Sequence, residues 1–219
     1  MLTLLVPWWA VLVRLLSGSS DATAVPIMTM GDHMQMTQRA STQPGDEARA
    51  VAIVTAAKRV VVRYADVRTA ERDGYRLFHA EAVGGTEHYV STAASASEGK
   101  RLDYERPGSL LYRRDAARKT IVGVMYGAPA SATAAELDAR APLSVAPWHR
   151  HVDFCIGPSG DRRFGFQGTI HTQAACDAAK GYFLPLAFGW MTHVYPQASS
   201  PTAMWGGEDM RADGVQHNH

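Results

Sequence analysis

From residue 50 onward, the apolar positions Ala50, Val54, Ala57, Val61 and Tyr64 recur every three or four residues, with Arg49, Lys58, Arg59 and Arg63 between them. That period draws one apolar stripe along a helix and sends the cations to its other side. Asp66 can cap a second, short helix over residues 67–73, and Gly74 suits the left-handed conformation that follows a last helical turn. Beyond Tyr75 the pattern changes to short β-type runs at residues 87–91, 109–113 and 120–127. Pro107-Gly108 marks the turn before the second run, and residues 114–119 have the length of a hairpin connection. A helix is predicted over 130–140 with Ser131 or Thr133 as its cap, then a strand over 148–156. A helix over 173–180, bounded by Thr172 and Gly181, precedes a last strand over 188–195.

This succession predicts an α+β fold, with N-terminal helices packed on a mainly antiparallel β-sheet. A cupin-like β-barrel is the alternative, although the stretch after His151 lacks the glutamate spacing of the usual cupin metal motif.

The ends of the chain have a different character. Residues 2–16 form an apolar run containing Trp8 and Trp9, interrupted by Arg14, and Ala22-Thr23-Ala24 has the small-x-small pattern of a signal-peptidase site. Residues 1–24 are therefore expected to be a signal peptide and the protein to be periplasmic or secreted. No later segment is apolar for long enough to span a bilayer, so no integral membrane span is expected in the mature chain. Residues 25–46 are polar and without period, which predicts a flexible, Met-rich arm. A single globular domain over 47–196 and a flexible tail over 197–219 complete the expected organisation.

Lys and Arg total 22 against 21 Asp and Glu, a near balance that argues against a nucleic-acid partner. The two cysteines, Cys155 and Cys176, both lie in the expected exported part, so a disulfide is predicted ahead of a thiolate ligand role. No phosphate-cradling P-loop, dinucleotide fingerprint, His-Glu-x-x-His helix or Gly-x-Ser-x-Gly turn occurs.

What remains for chemistry is sulfur and imidazole. Met28, Met30, Met34 and Met36 crowd into nine residues of the polar arm around His33. Thioethers are soft donors suited to monovalent copper or silver, and His33 adds an imidazole. This Met-x-Met-x-x-His-Met-x-Met segment resembles the methionine-rich segments of exported copper-resistance proteins and copper chaperones. The ordinary alternative is a tether whose methionines are incidental.

In the body, His149 and His151 stand two apart in a predicted strand and should share a face, the arrangement of His-x-His metal sites built on sheets. His193 and His88 lie in two other predicted strands and are the further candidate ligands. Glu87 adjoins His88 but should face the other way, which leaves it as a candidate acid or base rather than a ligand. His79 and His171 fall near loops and are held in reserve, and His217 and His219 at the terminus are left out. A lone strand histidine is more often hydrogen-bonded structure than ligand, and it is the group of them that points to a metal site. Copper is the first choice of ion, with zinc or iron as alternatives.

The pattern Tyr64-x-Asp66-Val67-x-x-Ala70-x-x-x-Gly74-Tyr75, followed by His88-Tyr89-Val90 and His193-Val194-Tyr195, resembles a recurrent family of exported bacterial proteins to which no activity is assigned. The resemblance implies an extent for the domain and draws attention to His88 and His193. The function expected from the residues is transition-metal binding in sequestration, delivery or resistance, with a metal-donor or acceptor protein as partner. The alternative is a metal-dependent periplasmic enzyme, an oxidoreductase or hydrolase with a histidine-ligated ion. A third reading is an interaction domain in which the histidines only pair with backbone groups.

Overall fold

The computed structural model describes residues 25–206 apart from 159, 166 and 167. The expected signal peptide and the last residues of the expected tail, including His217 and His219, lie outside the described residues. In chain order the elements begin with β1 (Ile27–Thr29), β2 (Met34–Thr37), α1 (Asp46–Arg63), α2 (Val67–Arg72), β3 (Arg76–Leu77), β4 (Thr86–Val90) and α3 (Thr92–Glu98). They continue with β5 (Ser109–Arg114), β6 (Lys119–Ala128), α4 (Ala134–Arg140), β7 (His149–Ile156), α5 (Gln173–Ala178), β8 (Tyr182–Leu186), β9 (Trp190–Val194) and α6 (Pro201–Met204).

The strands form one antiparallel sheet in the order β1-β2-β7-β9-β6-β5-β4-β3, with β8 paired to β7 off that path. The α+β expectation therefore holds. The barrel alternative is excluded, because β1 and β3 end the sheet and do not pair with each other.

Helix α1 lies on one face of this sheet. Its Ala50, Ile53, Ala57, Val60 and Val61 join Tyr89, Leu110, Tyr112, Val124, Tyr126, Trp190 and Val194 in a single buried cluster. Four of the five apolar positions that define the helical period, Ala50, Ala57, Val61 and Tyr64, are buried, and Val54 packs against the cluster. The tyrosines enter this core without stranding their hydroxyls. Tyr112 donates to the Tyr64 carbonyl at 2.7 Å and Tyr75 to that of Pro107 at 2.8 Å.

The caps follow the sequence closely. Asp66 accepts from the Arg68 amide at 3.0 Å, and Gly74 takes a φ of 92° after α2. Thr133 and Glu136 form a reciprocal capping box at the start of α4, with the Glu136 carboxylate accepting from the Thr133 amide at 2.7 Å.

Among the described residues, parts of the two segments expected to be flexible form regular elements. In the arm, β1 and β2 make a hairpin across a turn in which Gly31 has a φ of 66°, and β2 pairs with β7. The polar composition correctly denies this segment a core of its own; the border of β7 supplies the hydrogen-bond partners instead. In the tail, Ser200 caps α6 by accepting from the Ala203 amide at 3.1 Å, and Trp205 is buried in the main cluster. Met204 packs against the same cluster and its carbonyl accepts from the Tyr195 amide at 2.7 Å, so side chains and backbone together hold the segment.

The predicted disulfide is present, joining Cys155 on β7 to Cys176 on α5 across 21 residues. Buried Glu98 ties α3 to β6 and to the residue that precedes β5, since its carboxylate accepts from the Gly127 amide at 2.9 Å and the Gly108 amide at 2.8 Å. Burial nevertheless pushes its pKa up to about 7, outweighing the two hydrogen bonds and nearby Arg140, which act in the opposite sense.

Candidate metal centre

Strand alternation sorts the neighbours of the histidines. On β7, Trp148 just before the strand is buried in the α1-side core, and the Arg150 guanidinium lies 4.5 Å from the Trp190 ring centroid. His149 and His151, out of phase with both, share the opposite face. On β9, Val194 and Trp190 belong to the core, so His193 and Met191 also turn to that opposite face.

Four imidazoles are brought into proximity there. The ring centroids of His149 and His193 are 5.0 Å apart, those of His149 and His151 5.4 Å, and those of His88 and His193 5.8 Å. Rings bound to one tetrahedral ion at about 2.0 Å per nitrogen would stand about 5 Å apart, so these spacings suit neighbouring ligands. Among the described residues, however, no three His, Cys, Asp or Glu side chains are arranged to hold one ion. The histidines converge pair by pair, and an all-imidazole or imidazole-carboxylate cage is not preformed.

The methionines supply what the sequence reading did not anticipate. Met36 is directly opposite His149, and Met34 directly opposite His151, in the β2–β7 register. On the other side of β7, His149 is paired with Met191, and on the next strand His193 is paired with Met125. Residues directly opposed in an antiparallel pair point to the same face, with Cβ atoms about 4.5–5.5 Å apart. Each of the three histidines on β7 and β9 thus faces a methionine across the strands. Met28 extends the row outward, opposite Met36 on β1.

The remaining candidates are placed elsewhere. His33 anchors the hairpin turn: its Nε2 lies 2.9 Å from the Gly168 carbonyl, its Nδ1 3.3 Å from that of Val152, and its ring stacks on Phe154 at 4.8 Å. It is engaged by backbone rather than grouped with the thioethers. Met30, in the turn, donates its amide to the Met34 carbonyl at 2.8 Å. His171 sits beside Asp32 at 3.6 Å, near His33, and His79 is exposed.

Glu87 is buried on the α1 side of β4, as its alternation with His88 requires. Its carboxylate meets the Lys119 ammonium at 2.6 Å and Arg114 at 3.7 Å. The sheet therefore separates it from the imidazoles. Tyr89 accepts a further bond from Lys119 at 2.6 Å, completing a local structural network.

An aromatic pair borders the histidines. Phe78, whose amide donates to the His88 carbonyl, stacks edge-on against Phe188 at 5.9 Å, and Phe188 lies 6.5 Å from the His151 ring. Both phenylalanines are exposed. Of the residues missed from sequence, Met191 was within reach, because it is two positions from His193 in a predicted strand. Met125, Phe78 and Phe188 carry no such local signal.

No protein-family model, curated protein or solved structure matches the chain.

Proposed function

We propose that this protein is exported and binds a transition metal, copper before zinc or iron, on the methionine- and histidine-bearing face of its sheet, in sequestration, delivery or resistance. The observation that carries the reading is the register of β2 against β7, which sets Met34 and Met36 opposite His151 and His149. Two motifs that sequence reading kept apart, a soft-donor segment and a His-x-His strand, become one surface. Imidazole binds copper, zinc and iron alike, and thioether sulfur tilts the preference toward copper. A covalent Cys155–Cys176 bridge suits an oxidising compartment, in keeping with export. No helix among the described residues is long and apolar enough to cross a membrane. A donor or acceptor protein would exchange the ion.

The second reading is a metal-dependent periplasmic enzyme, an oxidoreductase or hydrolase. The exposed Phe78–Phe188 pair beside His151 favours it, by offering apolar surface to an organic substrate next to the imidazoles.

The test is elemental analysis of protein purified from its native compartment, for the wild type and for His149→Ala/His151→Ala. Loss of copper from the double variant, with an unchanged circular dichroism spectrum, is expected. Equal metal content in the two proteins would overturn the reading.

A further inference from the structure

We infer that Met36, His149 and Met191 form a two-thioether, one-imidazole site for a soft monovalent ion, Cu(I) or its analogue Ag(I), with Met28 as its outer, loading donor. The inference rests on the metal-binding reading above and assigns the ion's valence and a ligand set to it.

The geometry begins with a single file across four strands. Met28 pairs with Met36, Met36 with His149, and His149 with Met191. Neighbouring strands lie about 4.7–4.9 Å apart, so successive donors are spaced at the reach of flexible thioether chains. Exposure falls inward along the file, from 39% at Met28 to 9% at Met36 and 2% at His149. Met191 on the far side is again 9% exposed. An ion can meet the first donor from solvent and the next three under cover.

Charge selects the valence. Two thioethers and a neutral imidazole carry no negative charge, and the cost of burying an ion grows with the square of its charge. A divalent ion is ordinarily held by anionic ligands or by three or more imidazoles, and no such group of three His, Cys, Asp or Glu is arranged to hold an ion among the described residues. A monovalent soft ion needs neither.

Composition does not explain the pattern. Methionine is 9 residues of 219, yet His149, His151 and His193 are each paired with one across the strands. Packing alone would be served by leucine or valine, which the core face uses freely.

The experiment uses the oxidised, exported protein and Ag(I) as a redox-inert probe. In the wild type, 13C-labelled methionine methyl signals are followed during titration, and those of Met28, Met36 and Met191 are expected to shift together to saturation. In parallel, Ag(I) affinity is measured by competition for Met36→Leu/Met191→Leu, which keeps side-chain volume. A loss of at least tenfold is expected, with Cu(II) affinity changing less than twofold. Methyl signals of Met36 and Met191 that stay fixed in the wild type, whatever the variant does, would overturn the site. So would unaltered Ag(I) affinity in a folded double variant. If His149→Ala/His151→Ala loses its copper while the leucine variant keeps Ag(I) affinity, this site fails and the wider reading stands. If no ion binds any of the proteins, both fail.

Discussion

Met36 and His149 are directly opposed on adjacent antiparallel strands, although 113 positions apart in numbering, and their side chains share the face of the sheet turned away from α1. Soft sulfur is thereby placed beside a buried imidazole. A bound ion at this position would join β2 to β7 and, through Met191, to β9.

Ion binding should therefore stabilise the fold. A soft monovalent ion at about 100 times its dissociation constant adds about 2.7 kcal/mol, a rise of about 5–10 °C in the unfolding midpoint of a domain of this size. Calorimetry with and without Ag(I) measures it. His149→Ala should abolish the rise, and a rise of equal size in that variant would separate stabilisation from this face.

Thr37 fixes the hairpin's inner end. Its hydroxyl accepts from the Trp148 amide at 3.1 Å, and its own amide donates to the Trp148 carbonyl at 2.7 Å. Thr37→Val keeps the shape and strands a buried N–H, so a loss of about 1–3 kcal/mol is expected by chemical denaturation. Amide exchange at Met34 and Met36 should accelerate as well, because the hairpin loses its hold next to those residues.

Glu98 predicts a pH dependence. Burial raises its folded-state pKa to about 7 from an ordinary 4.5, so the folded state holds the proton more tightly than the unfolded chain does. The group's contribution is complete below pH 4.5 and is lost as pH rises through about 7. Comparing wild type with Glu98→Gln from pH 4 to 8 isolates it, and the stability difference between them should change by up to about 3 kcal/mol in that sense. A difference that stays flat over this range would refute the assignment.

Reduction of the Cys155–Cys176 bridge opens a loop of 21 residues and should lower stability by about 3 kcal/mol. Denaturant unfolding with and without reductant gives the figure. The Cys155→Ser/Cys176→Ser variant should match the reduced protein and show no further response to reductant.

Much of this architecture was legible in sequence where the signal is local. The spacing of Ala50, Ala57, Val61 and Tyr64 specifies the buried stripe of α1, and the two-residue step from His149 to His151 specifies a shared face. Caps at Asp66 and Thr133 can be read because capping involves only three or four neighbouring residues. Strand β8 was missed because Pro185 interrupts its pattern, and Pro is tolerated there since β8 lies off the main path of the sheet. Helix α3 was missed because its run of Ala and Ser lacks an apolar period. The pairing of Met36 with His149 was invisible for a deeper reason: strand register is settled by long-range hydrogen bonding and burial, and neither partner's neighbours encode the other. For the same reason, the arm's composition reads as mobile until a partner strand is present.

Strand β7 carries both His149 and Cys155, so the covalent tether to α5 is attached to the ribbon that presents the imidazoles. The bridge restrains that ribbon by a covalent bond. If the proposed ion binds there, such preorganisation lowers the entropy lost at capture and makes the redox state of the bridge a determinant of affinity.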